Sequence, residues 1–77
     1  METIRTFQDD FNNVAMIQKY MILPYHDAKE KQEAFRLVCM DKDNDNFIYF
    51  VSVYETVQNA MEILNTFSCG TFKEINS

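Results

Sequence analysis

The chain has 77 residues and a net charge of −5, with 7 Lys and Arg against 12 Asp and Glu, and 47% of it is hydrophobic. That is enough apolar material for one folded domain and too little length for two. An acidic chain without a Lys/Arg cluster is poorly suited to a phosphate backbone, and no apolar run reaches bilayer length, so the expected partner is a protein with a basic surface, with no direct nucleic-acid contact and no membrane.

Ile4, Phe7, Phe11 and Val14 recur at intervals of three, four and three. That is the stripe of an α-helix, with Thr3 or Thr6 as its cap, Asp9 and Asp10 on its outer side, and Asn12–Asn13 at its end. The segment VAMIQKYMILPY follows. Its faces alternate without either being cleanly polar, and it reads as a strand stopped by Pro24, which has no N–H for a ladder; a continuation of the first helix is the other reading. HDAKEKQEA is charged and poor in β-formers, a solvated loop or a short helix, with Asp27 and Glu30 at capping-box spacing. FRLVCM and FIYFVSVY then flank residues 41–46 as the two strands of a hairpin. The most regular helix is ETVQNAMEILNTFSCG. Val57, Ala60, Leu64 and Phe67 mark its apolar face, Thr56 is its N-cap, and Gly70 is the residue after its end. TFKEI returns as a short last strand.

The expected fold is therefore α+β. A small, mostly antiparallel sheet, a three-strand meander plus a short C-terminal strand, is packed with two helices in a single domain spanning 1–77.

The stretch DKDNDNFI at 41–48 carries two readings. With the residues before it, EAFRLVCMDKDNDNFI resembles the entering helix and calcium loop of EF-hand proteins. The resemblance covers about sixteen residues. It implies calcium ligands at Asp41, Asp43 and Asp45, a backbone carbonyl from Phe47, and Ile48 at the apolar eighth position. Two places depart from that pattern. Asn46 stands where the loop needs Gly for a sharp turn, and Ser52 stands where a bidentate Glu closes the shell. The exiting segment FIYFVSVY also has strand composition. The other reading, and the one adopted, is a hairpin tip. Asp and Asn tolerate left-handed backbone and bond their own main chain, and like charges at a tip discourage edge-to-edge pairing.

Chemistry-bearing residues are sparse. His26 is the only histidine, in a polar stretch. Cys39 lies in an apolar strand, and with Cys69 it reads as a reduced thiol of a cytoplasmic protein. One glycine cannot build a phosphate-cradling loop, and no metal-ligand spacing appears. The expectation is a non-enzymatic protein without cofactor. It would occlude or recruit a partner protein, in the manner of small acidic inhibitors encoded by phages and mobile elements, with the degenerate EF-hand as the alternative. The residues expected to bind are Asp41, Asp43 and Asp45 at the tip and Ile48, Phe50 and Tyr54 on one face of the following strand. That face would be left open if both helices packed on the other side, and it would then also be where two copies meet as a homodimer.

Overall fold

A computed structural model of the chain describes residues 2–22, 32–67 and 72–75. Five strands, β1 (Glu2–Gln8), β2 (Asn13–Ile22), β3 (Gln32–Asp41), β4 (Phe47–Tyr54) and β5 (Lys73–Glu74), form one antiparallel sheet in the order β4-β3-β2-β1-β5. Between β4 and β5 runs α1 (Val57–Leu64). The first four strands are a meander, and β5 returns to the opposite edge. The helical connection therefore crosses the sheet from the β4 side to the β1 side.

The N-terminal segment is a strand and a turn, not the helix its spacing suggests, and α1 is the one α-helix among the described residues. Two local features hide the period of two. The first is a bulge between Thr3 and Arg5, which leaves Ile4 without a partner and puts Thr3 and Arg5 on opposite faces of the sheet. The second is the turn at residues 9–12, where Asn12 takes φ 65. Phe11 stands in that turn, 72% exposed, and Val14 already belongs to β2. The helical stripe thus joins residues of two strands and a loop. The composition agrees with this outcome, since Thr3, Ile4, Thr6 and Phe7 are β-branched or aromatic.

The other elements follow their expected lines, except that α1 ends at Leu64 with Asn65 as its cap, before Phe67 and well short of Gly70. β2 and β3 pair over ten consecutive positions, from Asn13 opposite Asp41 to Ile22 opposite Gln32. The third strand begins earlier than FRLVCM, taking in Gln32–Ala34. Thr56 caps α1, its hydroxyl accepting from the Asn59 N–H at 3.0 Å. Pro24, residues 25–31 with His26, Cys69 and Gly70 lie outside the described residues. No helix among the described residues is long and apolar enough to cross a membrane.

The core lies between α1 and one face of the sheet. Phe7, Ala15, Ile17, Leu37 and Cys39 from the strands meet Ala60 and Leu64 from the helix. Phe35, Phe50, Tyr54, Val57, Met61 and Phe67 close its rim, with Phe50 and Phe67 edge to face at 4.9 Å between ring centroids. At the β1 side, Arg5 forks onto the Glu74 carboxylate of β5 at 3.1 and 3.2 Å and also reaches the Met61 sulfur of α1 at 2.7 Å. One guanidinium thus ties the short last strand to both sheet and helix. The Lys19–Glu33 pair at 2.8 Å is exposed, and it holds the Lys19 ammonium above its usual pKa, chiefly through the hydrogen bond. It adds little to stability.

Leu37 is fully buried in this core, whereas Val53 points away from it. Leu37→Ala is expected to destabilise the fold by about 2–5 kcal/mol and Val53→Ala by less than about 1 kcal/mol. Urea unfolding of the two variants side by side measures both.

Candidate interaction surface

The hairpin tip is built by its own polar side chains. Asp41 ends β3 in extended conformation, and its carboxylate accepts the Asp43 N–H at 3.0 Å. That bond starts a single 3-10 turn, Lys42–Asn44. Asp45 and Asn46 then take φ 55 and φ 58, left-handed backbone that Asp and Asn adopt more readily than other residues with a Cβ. The chain is thereby reversed without a glycine.

The β1–β2 turn packs beside this tip. Asp9, 6% exposed, takes the N–H groups of Phe11 and Asn13 on one oxygen at 2.9 and 2.8 Å and the Asn13 side-chain amide on the other at 2.8 Å. Asp9 is therefore the organiser of a turn and not an outer-side helix residue. Asn12 joins the two loops: its carbonyl accepts the Lys42 N–H at 3.2 Å, and its side-chain amide donates to Asp43 at 2.9 Å. The exposed Asp43 and Asp45 share this end of the sheet with exposed Asp10. The acidic patch is thus larger than the tip alone, and it is held as one body by the Asn12 bridge.

Strands β3 and β4 flank the loop, so the helix–loop–helix frame of an EF-hand is not present here. The Asp41 and Asp43 carboxylates accept bonds that shape the hairpin. Among the described residues, no three His, Cys, Asp or Glu side chains are gathered in a way that could hold a metal ion.

The apolar residues of β4 are divided differently from the sequence expectation, which places Ile48, Phe50 and Tyr54 on one open face. Phe50 and Tyr54 are half-buried and pack on the core beneath α1. Ile48 is exposed, and the cause is a second bulge. Cys39 pairs with Phe50 while the next residue of β3, Met40, pairs with Ile48, so Tyr49 is the extra residue of β4. Residues 48 and 50 consequently face opposite sides of the sheet. Ile48 joins Val51 and Val53, which lie opposite Val38 and Arg36 on the face away from the helix. Exposures are 58% for Phe47, 50% for Ile48, 51% for Val51 and 42% for Val53. Tyr49 is exposed as well, at the tip end, where partial burial and then the negative charges of Cys39, Asp9 and Asp41 push its hydroxyl pKa up.

The face away from the helix is apolar towards the hairpin-tip end. Val14, Met16, Val38 and Met40 continue the patch across β2 and β3 in register. Towards its other end the same face turns polar, where the Gln18 carbonyl accepts two N–H bonds from Arg36 at 2.7 and 3.1 Å and its amide donates to Thr3. Sequence reasoning missed Phe47, Val51, Val53 and Phe11 as exposed apolar residues. The signal for Phe11 was present, an aromatic set among Asp and Asn in DDFNN. The bulge at Tyr49 had none.

Cys39 is fully buried and free, and burial pushes its thiol up to about 11. A nucleophile needs the thiolate, so this cysteine is core material at neutral pH. Because its folded pKa exceeds the ordinary value of 9.0, the unfolded chain loses the proton first as pH rises. Its contribution to stability is therefore full below about pH 9 and falls between about 9 and 11, by at most about 1.4 kcal/mol per pH unit. Urea unfolding of the wild type and Cys39→Ala across that range checks the sign: the alanine variant should lack this part of the alkaline loss. Added calcium at about 1 mM, the range of weak extracellular sites, is expected to leave the melting temperature unchanged, and a rise abolished by Asp43→Asn would mark a calcium site at the tip.

Comparison of the chain with protein-family models, with curated proteins and with solved structures returned no match to any of them.

Proposed function

We propose that the protein is a non-enzymatic binding module that recruits or occludes a partner protein through β4 and the acidic end of the sheet. The observation that carries this reading is the run Phe47, Ile48, Tyr49, Val51 and Val53, exposed together on one strand directly after the acidic tip. Ile48, Val51 and Val53 lie on the face away from the helix, with Phe47 in register with Asp41 on the other side; exposed apolar side chains gathered along one strand commonly mark an interaction site. Aromatic and branched side chains at its centre supply holding energy. Asp10, Asp43 and Asp45 at its rim supply attraction for a basic partner and speed the encounter. Occlusion of a partner's own site, as by a small phage or mobile-element inhibitor, is the mode that needs nothing more than this surface.

The test begins with a photo-reactive side chain at position 51 and, as control, at Glu62 on the exposed side of α1. The position 51 probe should trap a protein that the Glu62 probe does not. With that protein purified, Asp41→Asn, Asp43→Asn and Asp45→Asn together should slow association by about tenfold at low salt and change dissociation little. Val51→Lys should speed dissociation. Equal trapping at both positions, or an association rate indifferent to the three substitutions and to salt, would overturn the reading.

A further inference from the structure

β4 is an edge strand of eight residues and, among the described residues, pairs on one side only, with β3. Edge strands are ordinarily kept from further pairing by charge, proline, shortness or cover. The opposite edge obeys that rule, since β5 is two residues long and both, Lys73 and Glu74, are charged. β4 does not. FIYFVSVY holds no charged residue and no proline, and the bulge at Tyr49, which could spoil pairing, lies near one end and leaves Phe50–Tyr54 in regular register with β3. An open edge with apolar side chains on both of its flanks has the elements of strand addition: main-chain groups for affinity, and alternate side chains for specificity.

Charge then decides the occupant. The uncharged stretch is bounded by acid at both ends, with exposed Asp43 and Asp45 before it and exposed Glu55 after it. A second copy is the obvious first candidate for an apolar edge. Antiparallel pairing of two β4 strands, however, would set the tip of each copy against Glu55 of the other, and parallel pairing would set tip against tip. Both juxtapose like charges in a chain of net charge −5, and like charges across a strand pair are destabilising. An incoming strand with cations at its two ends meets attraction at both. Resting on the reading of β4 as a binding surface, we infer that the partner contributes an extended segment of about eight residues that adds to the sheet beside β4. It is apolar at alternate central positions and carries Lys or Arg at each end.

The probe is a displayed library of random twelve-residue peptides selected on the intact protein. Enriched sequences are expected to alternate apolar residues between basic ends. A synthetic copy of one should lose about tenfold in affinity when its end cations are replaced by Glu. Selection on Glu55→Lys, a substitution at an exposed position, should exchange the basic residue for an acidic one at one end of the enriched peptides while leaving the other end basic. N-methylation distinguishes the mode of binding. Methylating every second amide of the peptide should abolish binding in one phase and spare it in the other, because only alternate N–H groups of an added strand point to the neighbouring edge. If neither phase matters while Val51→Lys still abolishes binding, the peptide lies on the apolar face: the binding surface stands and strand addition falls. No common pattern among selected peptides would overturn the inference, with the trapping experiment still judging the surface itself. A dimer in native mass spectrometry that Val51→Lys dissociates would overturn it in favour of a second copy.

Discussion

An eight-residue helix is about 12 Å long, and a sheet of five strands spaced by about 4.8 Å is about 19 Å across. Among the described residues, α1 is the one helix on this sheet, so that one face has a cover that is too short and the other has no element packed on it. The consequences run through the molecule. The main core cluster lies beneath α1, and its largest fully buried side chains are Ile17, Leu37 and Cys39 on β2 and β3. Cross-strand pairing takes over much of what packing does in a larger domain, which is why the ten-position register of β2 and β3 forms the centre of the structure. On the face away from the helix, Val38 and Val14 are nonetheless buried, in register with Met16 and Met40. At β4 the sheet has no further strand among the described residues, and several of the strand's apolar residues are exposed.

The bulge at Tyr49 adjusts what that edge presents. Without it, strict alternation would have turned Ile48 to the same side as Phe50 and Tyr54, towards the helix. With it, Ile48 joins Val51 and Val53 on the face away from the helix, while Phe50 meets Phe67 edge to face and Tyr54 packs on the core. One inserted residue thus lets a strand feed the core and an exposed patch at once. The acidic end depends on a comparable local device. Asp9 and Asn12 fix the first turn and bridge it to the second, so that Asp10, Asp43 and Asp45 stand in a defined array beside the apolar strand.

Legibility varied along the chain for identifiable reasons. The hairpin of β3 and β4, the helix from Thr56 onward and the last strand were readable because each rests on local chemistry: β-branched and aromatic runs, turn-forming Asp and Asn, a threonine cap, a spacing of three and four. The first segment was misread as a helix because Ile4, Phe7, Phe11 and Val14 imitate a helical period across a bulge, a turn and a strand start. The candidate surface was half readable. Its acidic tip follows from composition, and an apolar β4 follows from FIYFVSVY, but assigning Phe50 and Tyr54 to the open face failed because nothing local says which face the helix covers, and grouping Ile48 with them failed because the alternation was counted through a bulge.

The sequence by itself determined an acidic chain, an antiparallel hairpin with a polar tip, and one capped amphipathic helix, since these depend on composition and on residues near one another in the chain. Tertiary structure alone decided that the N-terminal segment is a strand, that β5 pairs with β1 at Phe7 and Gln8 while β4 has one neighbour among the described residues, and which β4 side chains meet water. Those outcomes depend on which strands become neighbours and on where a ladder slips by one residue. A slip of one residue reverses the face of every side chain beyond it, and only the pairing of the strands reveals it.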